Sequence, residues 1–374
     1  MKIIHTSDWH LGISLHNATL IEEQRNFVDY LTNVVREKNI DAVIIAGDIF
    51  DHSVSSSEAI SVYNYAVTSL CNKIGIPVII AAGNHDGAAR LASCNELLIK
   101  AGLYIYGKLT AEIKPVIIED VCIYPVPYFN VDEVRSLYPD EKIISYSDAM
   151  ECVIKNIKVN FMENKKNILM CHCFVGGSEL SESDRSAIVG GTSVVSAEIL
   201  NGFDYVAMGH LHKPQNRGNN IRYSGSPLKY SFSEAMHKKS ITLIEIENGI
   251  NIEEIEVIPL REMRFIKGTY EELKSIAEND ILSDDYIKIE ITDAYAGMEA
   301  VEIFRSYYKN LLSITGKINE IEENQMTVEE LYNLSPDDIL ERFYKDVTGM
   351  DISDEQKNWF NEAMIAVQDA EVDQ

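Results

Sequence analysis

A chain of 374 residues with 46% hydrophobic and 25% charged side chains has ample apolar sequence for two or three domains and an ordinary globular composition. No apolar run approaches the roughly 20 residues of a membrane span, and Met1-Lys2-Ile3-Ile4-His5 has a first strand's pattern rather than a secretory leader's, so a cytoplasmic protein is expected. The formal net charge of −26, taken alone, argues against a surface that grips nucleic-acid phosphates.

In chain order, the first two-thirds alternate strand-like and helix-like segments. Residues 42–46, 78–81 and 168–170 are continuous apolar runs, the pattern of strands covered on both faces. Residues 21–37 and 57–74 carry helical periodicity between them. Strands separated by helices imply an α/β sheet. Six cysteines are scattered except for Cys171-His172-Cys173, whose alternation puts both sulfurs on one strand face and the histidine on the other. Buried thiols are the expected state, with metal ligation as the other reading.

Five strand-like runs end on residues able to bind a metal. Ile3-Ile4-His5 leads to Asp8 and His10, Ile44-Ile45-Ala46 to Gly47-Asp48, and Ile80-Ala81-Ala82 to Gly83-Asn84. Leu169-Met170-Cys171 leads to His172, and Val206-Ala207-Met208 to Gly209-His210 and His212. Sites in α/β sheets form beyond the carboxyl ends of strands. Asp8, His10, Asp48, Asn84, His172, His210 and His212 are therefore expected to converge. Their mixed oxygen and imidazole chemistry suits Mn²⁺, Fe²⁺ or Zn²⁺ better than an all-oxygen cage. Seven ligands exceed the needs of one tetrahedral ion and fit two ions bridged by Asp48.

Beyond residue 260, residues 264–266, 287–291 and 311–314 read as strands, and 269–278 and 298–309 as helices. Ser335-Pro336 opens a helix with the stripe Ile339, Leu340, Phe343 and Val347, closed by Gly349. Ser353-Asp354-Glu355-Gln356 is a capping box for a second stripe of Trp359, Phe360, Ala363, Met364 and Val367.

Asp8-X-His10, Gly47-Asp48, Gly83-Asn84-His85-Asp86, His172 and Gly209-His210-X-His212 together resemble the calcineurin-like metallophosphoesterase signature. Thr6-Ser7-Asp8-Trp9-His10-Leu11-Gly12, Gly47 to Asp51 followed by His52, and Ser224-Gly225-Ser226-Pro227 resemble its DNA-repair nuclease branch. The resemblance covers nearly the whole chain. It implies an α/β sandwich of two mixed sheets flanked by helices over 1–260, a small α/β capping domain over 261–325, and a helical partner-binding segment over 330–370.

Residue by residue, the resemblance assigns one ion to Asp8, His10, Asp48 and His212 and a second to Asp48, Asn84, His172 and His210, with Mn²⁺ implied. It makes His85 the catalytic histidine and His52 a second phosphate-side histidine. Asp86 is expected to orient the His85 ring, as carboxylates behind histidines commonly do. The implied activity is two-metal hydrolysis of DNA, as 3′-to-5′ duplex exonuclease and single-strand endonuclease, in repair, recombination and hairpin processing. The implied partners are a coiled-coil ATPase docked by the C-terminal helices and a second copy paired through helices at residues 57–74 and 89–101, where Tyr63, Val67 and Leu70 form an apolar face. Arg90, Lys213, Arg217 and Lys229 are candidates for phosphate contact, and much of the negative charge lies in residues 330–374, with 12 acidic and 3 basic side chains. Two other readings stay open on sequence: a phosphoesterase acting on a nucleotide or other small ester, and a non-catalytic metal-binding scaffold.

Overall fold

The computed structural model describes residues 1–181, 184, 194–247, 249–294, 296–316, 335–348, 351–353 and 356–360. The chain divides into two compact units. One comprises Met1–Ile266, Ala277–Ile289 and Phe304–Ser313; the other comprises Lys267–Ile276, Glu290–Ile303 and Ile314–Gln374.

The principal strands of the first unit are β1 (Lys2–Thr6), β2 (Ala42–Ala46), β3 (Val78–Ala81), β4 (Leu103–Tyr106), β5 (Val116–Ile118), β6 (Val121–Val126), β7 (Lys166–His172), β8 (Tyr205–Gly209), β9 (Gln215–Arg217), β10 (Ile221–Tyr223), β11 (Ser240–Ile246) and β12 (Ile250–Glu256). They make two six-stranded sheets, ordered β12-β11-β1-β2-β3-β4 and β9-β10-β8-β7-β6-β5. In the first, β1 to β4 are parallel and β11 joins β1 antiparallel. In the second, β6, β7, β8 and β10 are parallel, and the edge strands β5 and β9 run antiparallel to their neighbours.

The period-2 alternation of strand side chains builds the layers. Ile3, Ile44, Ile79 and Ala81 face Ile168, Met170, Tyr205 and Ala207 between the sheets. Ile4, Val43, Ile45, Val78 and Ile80 point the other way, into a cluster with α1 (Ile21–Glu37) and α2 (Ser57–Val67). From α1 that cluster takes Phe27, Val28, Leu31, Val34 and Val35, one face at helical spacing. On the second sheet Leu169, Cys171, Val206 and Met208 turn outward to Met150, Val153, Ile154 and Ile157 of α3 (Tyr146–Val159). Both faces are thus buried, which is why these strands read as unbroken apolar runs. Each such side chain contributes roughly 1.5–3 kcal/mol on burial. All six cysteines are free, and Cys171 and Cys173 share the outer cluster while His172 points away from it.

Two helical segments differ from the sequence expectation. Residues 57–74 are helical throughout, but Thr68–Ile74 wind as a π-helix that Gly75 ends at φ 88°. The expected helix over 89–101 is broken into Ala88–Leu91, Asn95–Leu98 and a 3₁₀ turn at Ile99–Ala101, because Cys94 adopts a left-handed φ of 60°. Further on, strands Met263–Gly268, Tyr286–Ile291 and Leu311–Thr315 form a three-stranded sheet with Tyr286–Ile291 central, and Tyr270–Asn279 and Met298–Tyr307 are helices. Pro336–Thr348 is a helix whose cap is reciprocal: Asp338 N donates to Ser335 Oγ at 3.2 Å and Ser335 N to Asp338 Oδ2 at 3.3 Å. The second capping box also forms, with Ser353 N to Gln356 Oε1 at 3.0 Å and Gln356 N to Ser353 Oγ at 3.3 Å. Gly349, Asp354, Glu355, Ala363, Met364 and Val367 lie outside the described residues.

At Gly209 of β8 the second sheet approaches the end of β2 closely. A methyl group there would sit 1.8 Å from the Ala46 carbonyl oxygen, a backbone atom that cannot swing aside. Gly209→Ala is expected to splay β2 from β8 and destabilise the unit by about 3 kcal/mol, at the upper end of overpacking costs. Urea unfolding measures this, and an unchanged midpoint would refute the close approach.

Candidate metal centre

Parallel pairing places the carboxyl ends of β1, β2 and β3 side by side, and those of β7 and β8 likewise. The loops that follow are held together by their backbones: Asp8 N donates to Gly47 O at 3.0 Å and His10 N to Asp48 O at 3.0 Å. From α1, Gln24 Nε2 donates to His10 O at 2.8 Å and pins the first loop from behind. Four of the expected ligands hold positive φ: Asp8 at 53°, His10 at 42°, Asp48 at 51° and His210 at 98°. Such backbone costs about 1–3 kcal/mol per residue and concentrates at functional sites. Gly47, at φ 92°, leaves room for His172, since a methyl there would meet the His172 ring at 2.2 Å.

The seven side chains named from the sequence converge. Asn84 Oδ1 lies 3.0 Å from His172 Nε2 and 3.2 Å from His210 Nδ1. Asp48 Oδ2 lies 3.3 Å from His172 Nε2 and 3.6 Å from His10 Nε2, so one carboxylate reaches both halves of the site. His10 Nε2 faces His212 Nε2 at 3.2 Å. The Asp8 carboxylate accepts His210 N at 3.0 and 3.2 Å and Ser7 Oγ at 2.5 Å. Triads Asp8, His10, His212 and Asp8, Asp48, His172 each bring one ligand atom per residue within 4.8 Å of one another.

The donor chemistry fits divalent cations. A carbonyl oxygen can only accept, so His172 Nδ1 donates to Ala46 O at 2.9 Å, which leaves Nε2 as a lone pair aimed at two oxygen acceptors. His212 Nδ1 likewise pairs with Glu234 Oε1 at 3.2 Å, which leaves its Nε2 lone pair facing another ring nitrogen. Acceptors packed against acceptors need a cation between them. In a metal-free chain a proton fills that need at His172. Burial draws this ring down, but the charge and contact of Asp48, with Asp8 behind, outweigh it and push it up to about 10. Ion uptake near neutral pH therefore displaces a proton, and affinity weakens as pH falls.

The other site residues fall into different places. His85 N donates to Asp48 Oδ1 at 2.9 Å, and its ring stands 4.8 Å from that of His10. Its Nδ1 is held by the Asp51 carbonyl at 2.9 Å. This corrects the expected role of Asp86, whose carboxylate is occupied by three backbone N–H groups: Gly83 at 2.8 Å, Phe50 at 2.9 Å and Ile49 at 3.2 Å. Asp86 ties the β2 and β3 loops together and does not touch the His85 ring. His52 is exposed, with Nε2 3.2 Å from Asp51 Oδ2. Arg90, Lys213, Arg217 and Lys229 are each engaged within the protein, by Ser53 O, Glu179, Gly176 O and Glu262 with Ala235 O respectively.

Sequence reasoning missed Asp51 and Glu234. Asp51 contacts His10 Nδ1 at 3.3 Å, without hydrogen-bond alignment, besides holding His52 and His85. Its signal was its position three residues after Asp48. Glu234 lies in a short 3₁₀ turn with no motif around it, and only folding brings it to His212.

A bed of Asp, Asn and His at the carboxyl ends of two packed mixed sheets defines a calcineurin-like phosphoesterase, and that family's model matches residues 1–214. A second model, described as the type 5 capsule protein repressor C-terminal domain, matches residues 259–348. The chain is 31% identical over 374 residues to SbcD of the nuclease SbcCD from Staphylococcus epidermidis, covering 99% of this chain and 100% of that protein. It belongs to the SbcD family within the calcineurin-like phosphoesterases. Solved structures include a dimetal phosphatase from Danio rerio (10% identity, TM-score 0.40, 69% of this chain and 98% of that one). Another is the Plasmodium inner-membrane-complex anchor GAP50 (13%, 0.40, 69% and 84%). Both are too distant to bear on function. No helix among the described residues is long and apolar enough to cross a membrane.

Proposed function

We propose that this chain is the nuclease subunit of an SbcCD-type complex and hydrolyses DNA phosphodiesters at the bed of Asp8, His10, Asp48, Asn84, His172, His210 and His212. The observation that carries the reading is the acceptor-against-acceptor packing of these side chains. Asp8, His10, Asp48 and His212 would hold one ion and Asp48, Asn84, His172 and His210 the other, with Mn²⁺ the expected metal. Two such ions, when bound, supply an acidified water and neutralise charge on the phosphoryl oxygens. His85, its Nδ1–H fixed on a backbone carbonyl, keeps Nε2 as its second ring nitrogen and, in the imidazolium form, would protonate or stabilise the departing oxygen. His52, exposed at the rim, is available to the phosphate side of the substrate.

The acidic surface is compatible with DNA if a partner carries part of the binding surface, since the four basic residues near the motifs are already engaged. Residues 330–370 are the segment proposed to dock on the coiled coil of an SbcC-like ATPase. Phe343 is 64% and Trp359 61% exposed, apolar groups without cover among the described residues. A homodimer within a heterotetramer is proposed through the segments following β2 and β3. There Ile60, Leu97 and Ile99 are exposed, whereas Leu70 is buried and Tyr63 and Val67 pack against the core. Residues 1–260 and 261–325 are the proposed nuclease and capping domains, acting inside the cell.

The test is an Mn²⁺ titration on labelled single-stranded and duplex DNA, with and without a co-purified SbcC-like ATPase, beside a chromogenic phosphodiester. Mn²⁺-dependent cutting of single strands by the chain alone, with 3′-to-5′ duplex digestion once ATPase and ATP are added, is the expected result. Hydrolysis confined to the small ester under every condition would overturn the nuclease reading. Failure of residues 330–374 to retain the ATPase would overturn the docking.

A further inference from the structure

Glu234 and Lys239 form an ion pair at 2.6 Å with side chains 0% and 2% exposed. A pair this deeply buried is weak evidence for stability, because well-packed apolar residues of similar volume commonly serve as well. Its partners indicate another purpose. Glu234 Oε1 lies 3.2 Å from His212 Nδ1, and Lys239 Nζ donates to the His212 carbonyl at 2.8 Å. Lys239 also donates to Ser226 Oγ at 2.7 Å, and Ser226 N returns to the same His212 carbonyl at 3.2 Å. The pair therefore holds one residue at two points, ring and backbone.

The ring contact has a chemical consequence. A carboxylate acceptor at Nδ1 selects the tautomer with Nδ1–H and leaves the Nε2 lone pair in the site, 3.2 Å from His10 Nε2. It also makes that nitrogen a stronger ligand than a neutral acceptor would. His172 is backed differently, by the Ala46 carbonyl. Lys239 compensates the charge of Glu234, so the buried carboxylate can remain ionised there without an unpaired charge. The lysine is anchored in turn where β11 begins, its carbonyl accepting Val257 N at 2.8 Å.

The geometry points to Glu234 and Lys239 as positioning residues for His212, which raise metal affinity at the position shared by Asp8, His10 and His212 and leave the Asn84, His172 and His210 position untouched. This rests on the two-ion reading proposed above. Residues behind a metal-binding histidine typically change metal affinity about 10–100-fold.

The test is calorimetric titration of Mn²⁺ into the metal-free full chain. Three proteins are compared: wild type, Glu234→Gln, and the apolar double variant Glu234→Leu with Lys239→Met, which removes the pair without stranding either charge. Wild type is expected to show two binding events. In the double variant one event weakens about 10–100-fold and the other keeps its affinity. Glu234→Gln falls between, because its amide oxygen still accepts the ring N–H. Circular dichroism of the metal-free proteins checks that the fold persists, and the single variant carries the test if the double one does not fold. Two unchanged events in the variants, or equal weakening of both, would overturn this inference and leave the two-ion reading standing. A wild-type chain that takes up no Mn²⁺ would overturn both.

Discussion

Asp48→Asn is expected to abolish stable occupancy of both ion positions and to lower DNA hydrolysis on the order of 10³-fold or more, beyond the loss of one preorganised electrostatic group. The carboxylate reaches both halves of the bed, through His172 Nε2 at 3.3 Å and His10 Nε2 at 3.6 Å. Burial alone would raise its pKa, but the charges and contacts of His172, His10 and His85 outweigh that and hold it well below the ordinary carboxylate range. It thus offers a full negative charge between groups that offer carbonyl and imidazole. Asparagine keeps the shape and, through Oδ1, the bond from His85 N at 2.9 Å, so the loop should persist. Metal analysis of the folded variant decides: two retained ions per chain would show that Asp48 is not the shared ligand.

The second large effect is expected at His85. Replacement by glutamine should leave both ions bound and cost about 10²–10⁴-fold in turnover, the usual contribution of a positioned acid or base. Its ring is held from outside the ligand bed by Asp51 O, and it touches Asp48 only through its backbone N–H. Loss of the ring thus removes a proton donor without removing a ligand. A variant that has lost its ions, or one as active as wild type, would refute this division of roles. Measuring activity and metal content on the same preparation keeps His85 and Asp48 distinguishable.

Asp86 and Asp51 show how far neighbourhood in sequence can mislead. Asp86 adjoins His85 in the chain and was the natural candidate to orient it. The sharp turn after β3 instead sends its carboxylate back to the N–H groups of Ile49, Phe50 and Gly83. The atom that holds His85 belongs to Asp51, on the loop after a different strand. The helix over 89–101 failed for a related reason. It was implied by the resemblance, which does not reveal that Cys94 will take a left-handed φ of 60°.

The sequence alone determined the five strands that lead into the bed and what each would carry. Burial on both faces leaves unbroken apolar runs, and a backbone that must turn beside a packed ligand leaves glycine before Asp48, Asn84 and His210. Those constraints are local, so they are written locally: the seven converging side chains and the strands that carry them were legible without coordinates. Tertiary structure alone decided which atoms back the ligands. Glu234 reaches His212 across 22 residues, and the Ala46 carbonyl reaches His172 across 126. A carbonyl has no residue identity to read, and a lone glutamate in a polar turn looks like any solvated charge. Only the packing of two sheets face to face converts them into groups that choose a tautomer.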